Sequence, residues 1–211
     1  MFWFAKKRRF IEAQIRAFPA EYREDVIAIC KKLSFRQLHD DRLLCAHDYF
    51  IQYGRGFDWL LSNGDRIKIP CRIYMDDRAD SVLCELNEVQ KIIYHCMFSR
   101  SCDGYTREKH IRMLLSKDLP EWAKIYVIKI CDEYVVEILQ AVYESLCKKD
   151  CTKYKEISAR NIENIKVGHN RMISYWQRFY RYDCYWYKDY IGKKLFAECF
   201  GYKKTGQKRI T

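Results

Sequence analysis

The chain has 211 residues, 49% of them hydrophobic and 32% charged, with only 3 prolines and 8 glycines. That balance suits one large globular domain, excludes a disordered or linker-rich chain, and favours long helices because helix breakers are scarce. The formal net charge of +11 sits at the two ends: five basic residues against Glu12 in 1–16, ten against Asp183, Asp189 and Glu198 in 169–211, and 24 of each sign between.

Met1–Ala5 is apolar but short, and it precedes the basic Lys6–Arg9, the reverse of a secretory signal. Lys6–Phe18 then reads as a basic amphipathic helix with Phe10, Ile11, Ile15 and Phe18 on one face. Pro19 suits the first turn of a second helix, striped by Val26, Ile27, Ile29, Cys30 and Leu33. Ser34 is placed to cap a third, running through Leu38, Leu43, Leu44, Tyr49 and Phe50 toward Gly54. The pattern then changes to alternation over Phe57–Leu61 and Arg66–Ile69 around Asn63-Gly64, which predicts a β-hairpin, the one β element expected.

Helical spacing resumes from Leu86, with Val89, Ile92, Ile93, Cys96 and Met97 on one stripe. Thr106–Leu115 predicts a short helix. Pro120 opens an apolar one expected to reach Leu146 and to form the centre of the core. This unit over 104–147, a short helix, a tight turn and an apolar helix, resembles the paired helices of HEAT-type solenoids over one unit. The resemblance implies stacked helix pairs with a concave binding face. A later helix aligns Ile162, Ile165, Met172, Ile173, Trp176, Phe179 and Tyr180, and a final one spans Tyr187–Cys199 before the Lys203–Thr211 tail.

The predicted fold class is all-α: a multi-helix bundle or short HEAT-like array of seven or eight helices, with one small hairpin near 57–69. It is a single domain over 1–211, divisible at the hairpin into subdomains 1–80 and 81–211. No run approaches the roughly 18 apolar residues of a membrane span. The 11 cysteines are odd in number, lack a Cys-x-x-Cys pair and mostly fall at apolar helical positions, so they are expected to be reduced and the protein cytoplasmic.

The strongest functional feature is Arg171–Lys204, with eight basic residues and twelve aromatics. Cations neutralise phosphates and rings stack on unpaired bases, so nucleic-acid surfaces need this mixture. The competing reading is two amphipathic helices with rings inside and lysines outside. Periodicity does place Trp176, Phe179, Ile191 and Phe196 in the core. It leaves Tyr182, Cys184, Tyr185, Trp186 and Tyr187 in a loop without a buried role.

A second cluster, His95, Cys96, Cys102, Asp103, Arg107, Glu108 and His110, matches no structural-zinc spacing, and His95 and Cys96 diverge by about 100° on a helix. Catalysis by Cys102 with His110 would need spatial contact and a lowered thiol pKa. A third cluster, His39, Asp41, Cys45, His47 and Asp48, has its histidines out of line for one metal. No phosphate loop, nucleophile elbow, dinucleotide fingerprint, zinc-finger spacing or recognition helix is present. No catalytic residue, metal ligand or cofactor is therefore assigned.

The expected function is non-enzymatic: a helical scaffold binding another macromolecule, first a protein through surface grooves. The alternative is nucleic-acid binding through Arg178, Arg181, Lys188, Lys193 and Lys194, with Tyr185 or Trp186 stacking. That alternative asks residues 6–9 and 178–204 to share a surface. A third option lays the 6–18 helix on a membrane surface.

Overall fold

Helices dominate both halves of the chain, as the 3.6-residue periodicity requires. The computed structural model describes residues 2–33, 51–52, 58–77 and 79–203, and they fall into two compact units, Met1–Ile130 and Cys131–Thr211. The third predicted helix and the His39–Asp48 cluster lie outside the described residues, except that Ile51–Gln52, expected in that helix, is strand.

In the first unit, α1 spans Phe2–Ile15, starting before and ending short of its predicted bounds, and buries Phe10, Ala13 and Gln14. A 3-10 turn at Ala20–Tyr22 leads into α2, Arg23–Lys32, with Val26, Ile29 and Cys30 inside. Strand β1, Ile51–Gln52, precedes the hairpin of β2, Trp59–Leu60, and β3, Arg66–Ile67, registered Trp59↔Ile67 and Leu60↔Arg66. Its turn closes as a three-residue loop: Gly64 N–H donates to Leu61 O at 3.1 Å, and Gly64 takes φ +92°, a region only glycine enters without strain.

A second ladder was not foreseen. Strand β4, Arg72–Ile73, pairs antiparallel with β1, and Ile73 bonds onward to Arg100 O and Cys102 N. Beyond lie α3, Ala79–Val82; α4, Glu88–Phe98; α5, Gly104–Leu115; and α6, Glu121–Ile130. Asn87 and Gln90 form a reciprocal capping box on α4, and Asp103 caps α5 through the Thr106 amide at 2.7 Å. Fully buried Arg100 donates to Pro70 O and Cys71 O, and fully buried Arg107 to Ser101 O and Cys102 O. The two guanidiniums thus satisfy loop carbonyls that have left water.

The long helix expected from Pro120 to Leu146 is two. It stops at Ile130, and α7, Val136–Leu146, begins after Cys131–Val135. Tyr180 accounts for the gap: its hydroxyl donates to Tyr134 O and accepts from Val136 N at 3.3 Å, taking groups an unbroken helix would pair internally. Buried Asp132 adds an ion pair with Arg171 at 3.2 Å. The HEAT-like pair over 104–147 is accordingly three helices divided between two units.

The second unit continues with α8, Thr152–Arg160, which was not predicted, and α9, Ile162–Tyr175. A π-helical turn, Trp176–Tyr180, and a 3-10 turn, Tyr187–Asp189, lead to α10, Ile191–Glu198. The core of this unit includes Ile138, Leu139, Val142, Ile165, Met172, Leu195 and Phe196. No helix among the described residues is long and apolar enough to cross a membrane. No described cysteine is in a disulfide.

Candidate nucleic-acid interface

The loop after α9 is fastened from beneath. Trp176 Nε1–H donates to Cys184 O at 2.9 Å, and Cys184 N–H donates to Tyr180 O at 2.8 Å. Tyr187 lies 3.0 Å from His169 Nε2 and packs on Trp176, while Tyr190 is buried against Tyr180. Burial pushes the Tyr187 hydroxyl up to about 12, and burial drives Tyr190 higher still, so both stay neutral.

With those rings committed, the remainder faces water. Tyr182 is 96% exposed, Trp186 62%, Tyr185 61% and Phe179 50%. Phe179, expected in the core, is the correction here. A π turn carries more residues per turn than an α-helix and rotates later side chains off the 3.6-residue stripe. Cations accompany the rings: Arg178 lies 5.6 Å from the Phe179 centroid, Arg181 5.9 Å from Tyr185 and Lys188 5.8 Å from Trp186. Tyr185 and Trp186 meet edge-to-face at 5.0 Å, and Phe179 also stacks beside Tyr175 and lies tilted against Tyr134.

Five of the sequence-predicted residues, Arg178, Arg181, Tyr185, Trp186 and Lys188, therefore take part in ring or cation–ring contacts. Lys193 and Lys194 stand on the first turn of α10 and make none of them. The basic Lys6–Arg9 belongs to α1 in the other unit, where Arg8 pairs with Glu12 at 2.8 Å.

The first unit holds a separate polar chain. α4 and α5 pack together and bring His95 Nδ1 within 2.8 Å of His110 Nδ1, with both rings buried. His110 Nε2 reaches Asp77 Oδ2 at 2.9 Å. The same carboxylate takes Lys109 Nζ at 3.0 Å, the Tyr94 hydroxyl at 2.9 Å and the Ala79 amide at 3.0 Å. Burial alone would raise the Asp77 carboxyl, but the bonds and charge of His110, with Lys109 and Tyr94, hold it well below the usual carboxylate range. His95 is lowered to about 4, first by burial and then by the nearness of His110. With both imidazoles neutral, Asp77 would take His110 Nε2–H, His110 Nδ1 would accept from His95 Nδ1–H, and His95 Nε2 would be left bare.

Neither cysteine of the predicted cluster joins the chain. Burial pushes both the Cys96 and Cys102 thiols up, the opposite of an activated nucleophile, and His110 is engaged with Asp77 and His95. Among the described residues no group of three or more His, Cys, Asp or Glu side chains could hold a metal ion. Asp77 was missed by the sequence reading, although it stands in a short acidic stretch, Asp76–Asp80, a few residues past the hairpin. Comparison with known proteins finds no matching family, no matching curated sequence and no matching solved structure.

Proposed function

We propose that the protein is a non-enzymatic, macromolecule-binding helical protein whose 176–188 surface takes single-stranded nucleic acid. One observation carries this reading. Phe179, Tyr182, Tyr185 and Trp186 are exposed on a fastened loop beside Arg178, Arg181 and Lys188, instead of packing inward. Bases stack on exposed rings at about 1–3 kcal/mol each, whatever their sequence, and neighbouring cations follow the backbone. A duplex offers no free base faces, so single strands are preferred.

The test is fluorescence anisotropy with labelled single- and double-stranded oligonucleotides, DNA and RNA, over a salt series. Trp186→Ala and Tyr185→Ala should each weaken single-strand binding at least about fivefold, the lower end of one stacking contact. Lys193→Glu with Lys194→Glu should do less. Three phosphate contacts predict a log–log salt slope near about −2. Absence of binding at low salt, or binding indifferent to Tyr185 and Trp186, would direct the search to a protein partner on the same rings, since Tyr, Trp and Arg also dominate protein hot spots.

A further inference from the structure

We propose a second binding site, in the first unit: a groove between the α1–α2 corner and the β2–β3 hairpin that takes a small-molecule diphosphate, such as a nucleoside diphosphate or free pyrophosphate. The groove has a volume of about 460 Å³, within the range of small-molecule pockets. Arg16, just past the end of α1, Arg23 at the start of α2, and Arg66 and Lys68 on the hairpin side line it, against Asp58 and Asp65. Four cations against two carboxylates leave an excess positive charge in a concave space.

Several exposed cations elsewhere in this unit are paired. Arg8 pairs with Glu12, Arg112 with Glu108, and Lys91 with Glu88, each within one helical turn. The side chains of Arg16, Arg23 and Arg66 make no hydrogen bond or ion pair among the described residues. Asp65 makes no ion pair with them; its carboxylate accepts from Asn63 Nδ2 at 2.8 Å within the hairpin turn. Three guanidiniums drawn from separate elements into one groove repel one another until an anion enters. The planar fork of arginine suits phosphate oxygens, and two linked phosphates can engage more than one fork.

The walls are fixed rather than soft. The hairpin is clamped to the corner by Lys68 N–H donating to Arg16 O at 2.7 Å. Phe18 is held between Trp122 at 5.6 Å and Tyr126 at 5.3 Å, and Tyr126 donates to Ala17 O at 2.8 Å. Ile15, Phe18 and Pro19 give the groove an apolar side for the body of an organic phosphate.

The test is titration calorimetry of the full chain with ADP, inorganic pyrophosphate and adenosine. ADP and pyrophosphate should bind one to one with Kd below about 1 mM, and adenosine at least about tenfold more weakly. Arg23→Gln and Arg66→Gln, both at exposed positions, should each weaken ADP about tenfold or more with the circular dichroism spectrum unchanged. Arg178→Gln with Arg181→Gln, in the other unit, should leave ADP binding as it was. The proposal is overturned if neither phosphate binds, if adenosine matches ADP, if binding survives the Arg23 and Arg66 changes together, or if the Arg178 and Arg181 pair abolishes it. None of these outcomes depends on whether the protein binds single strands.

Discussion

Acidification offers a direct measure of the buried histidine pair. His95 titrates near its ordinary 6.5 in the unfolded chain and at about 4 in the fold. Its folded value lies below its unfolded one, so as pH falls from about 6.5 toward about 4 the unfolded chain binds a proton that the fold refuses. His110, Lys117 and Lys109 oppose that proton, and Asp77 alone among the contributing charges favours it. Between about pH 7 and about pH 5, at 1.36 kcal/mol per unit of differential titration, the loss of stability from this one group is about 2 kcal/mol. Against a typical total of about 5–15 kcal/mol that is large enough to measure.

His95→Gln isolates the effect, because the glutamine amide can still donate to His110 while carrying no titratable proton. The free energy is best read from exchange-protected amides of α4 and α5 over a urea series, so that it belongs to the unit containing the pair. The wild type should lose about 2 kcal/mol more than His95→Gln over that pH span. Equal losses in the two proteins, within about 0.5 kcal/mol, would refute the reasoning. The depressed carboxyl of Asp77 acts in a separate window, since its contribution is present above the ordinary carboxylate value and fades as pH falls below it.

Gly192→Ala should destabilise the second unit by about 1–3 kcal/mol in urea unfolding, because the new methyl would stand 2.7 Å from Met172 Sδ and 2.8 Å from the Tyr190 ring. Arg100→Met, which strips the buried partner from Pro70 O and Cys71 O, should cost about 2–3 kcal/mol and expose the β4 segment to hydrogen exchange before the rest of its unit. Tyr180→Phe should cost about 1–2 kcal/mol and loosen amide protection at Val136, the donor to its hydroxyl.

The parts of the fold legible in the sequence were those written locally. Asn63-Gly64 between alternating strands and the apolar stripe of α4 each carry their own signal within a dozen residues. The break at Cys131–Val135 does not: it contains no glycine or proline, and what opens it is a hydroxyl 46 residues away in sequence. The β1–β4 ladder likewise joins segments whose strands are only two residues each, too short for alternation to register. In the candidate interface, composition located the right stretch, and Tyr185 and Trp186 stood out because no helical stripe claimed them. Phe179 was misplaced because an α-helical period was carried through a π turn. Asp77 escaped because its partners Tyr94 and His110 lie 17 and 33 residues on.

The line from Asp77 through His110 to His95 has a direction. When both rings are neutral, each imidazole gives a proton at one nitrogen and receives at the other, so the carboxylate fixes the tautomer of the first ring and the first ring fixes that of the second. Between two like nitrogens 2.8 Å apart there is room for one hydrogen. In that neutral state the lone pair at His95 Nε2 is set by a negative charge two rings away, and a group meeting that nitrogen must bring a proton to donate. Reversing the sign at position 77, as Asp77→Lys would, inverts every arrow in the line and turns His95 Nε2 from acceptor to donor.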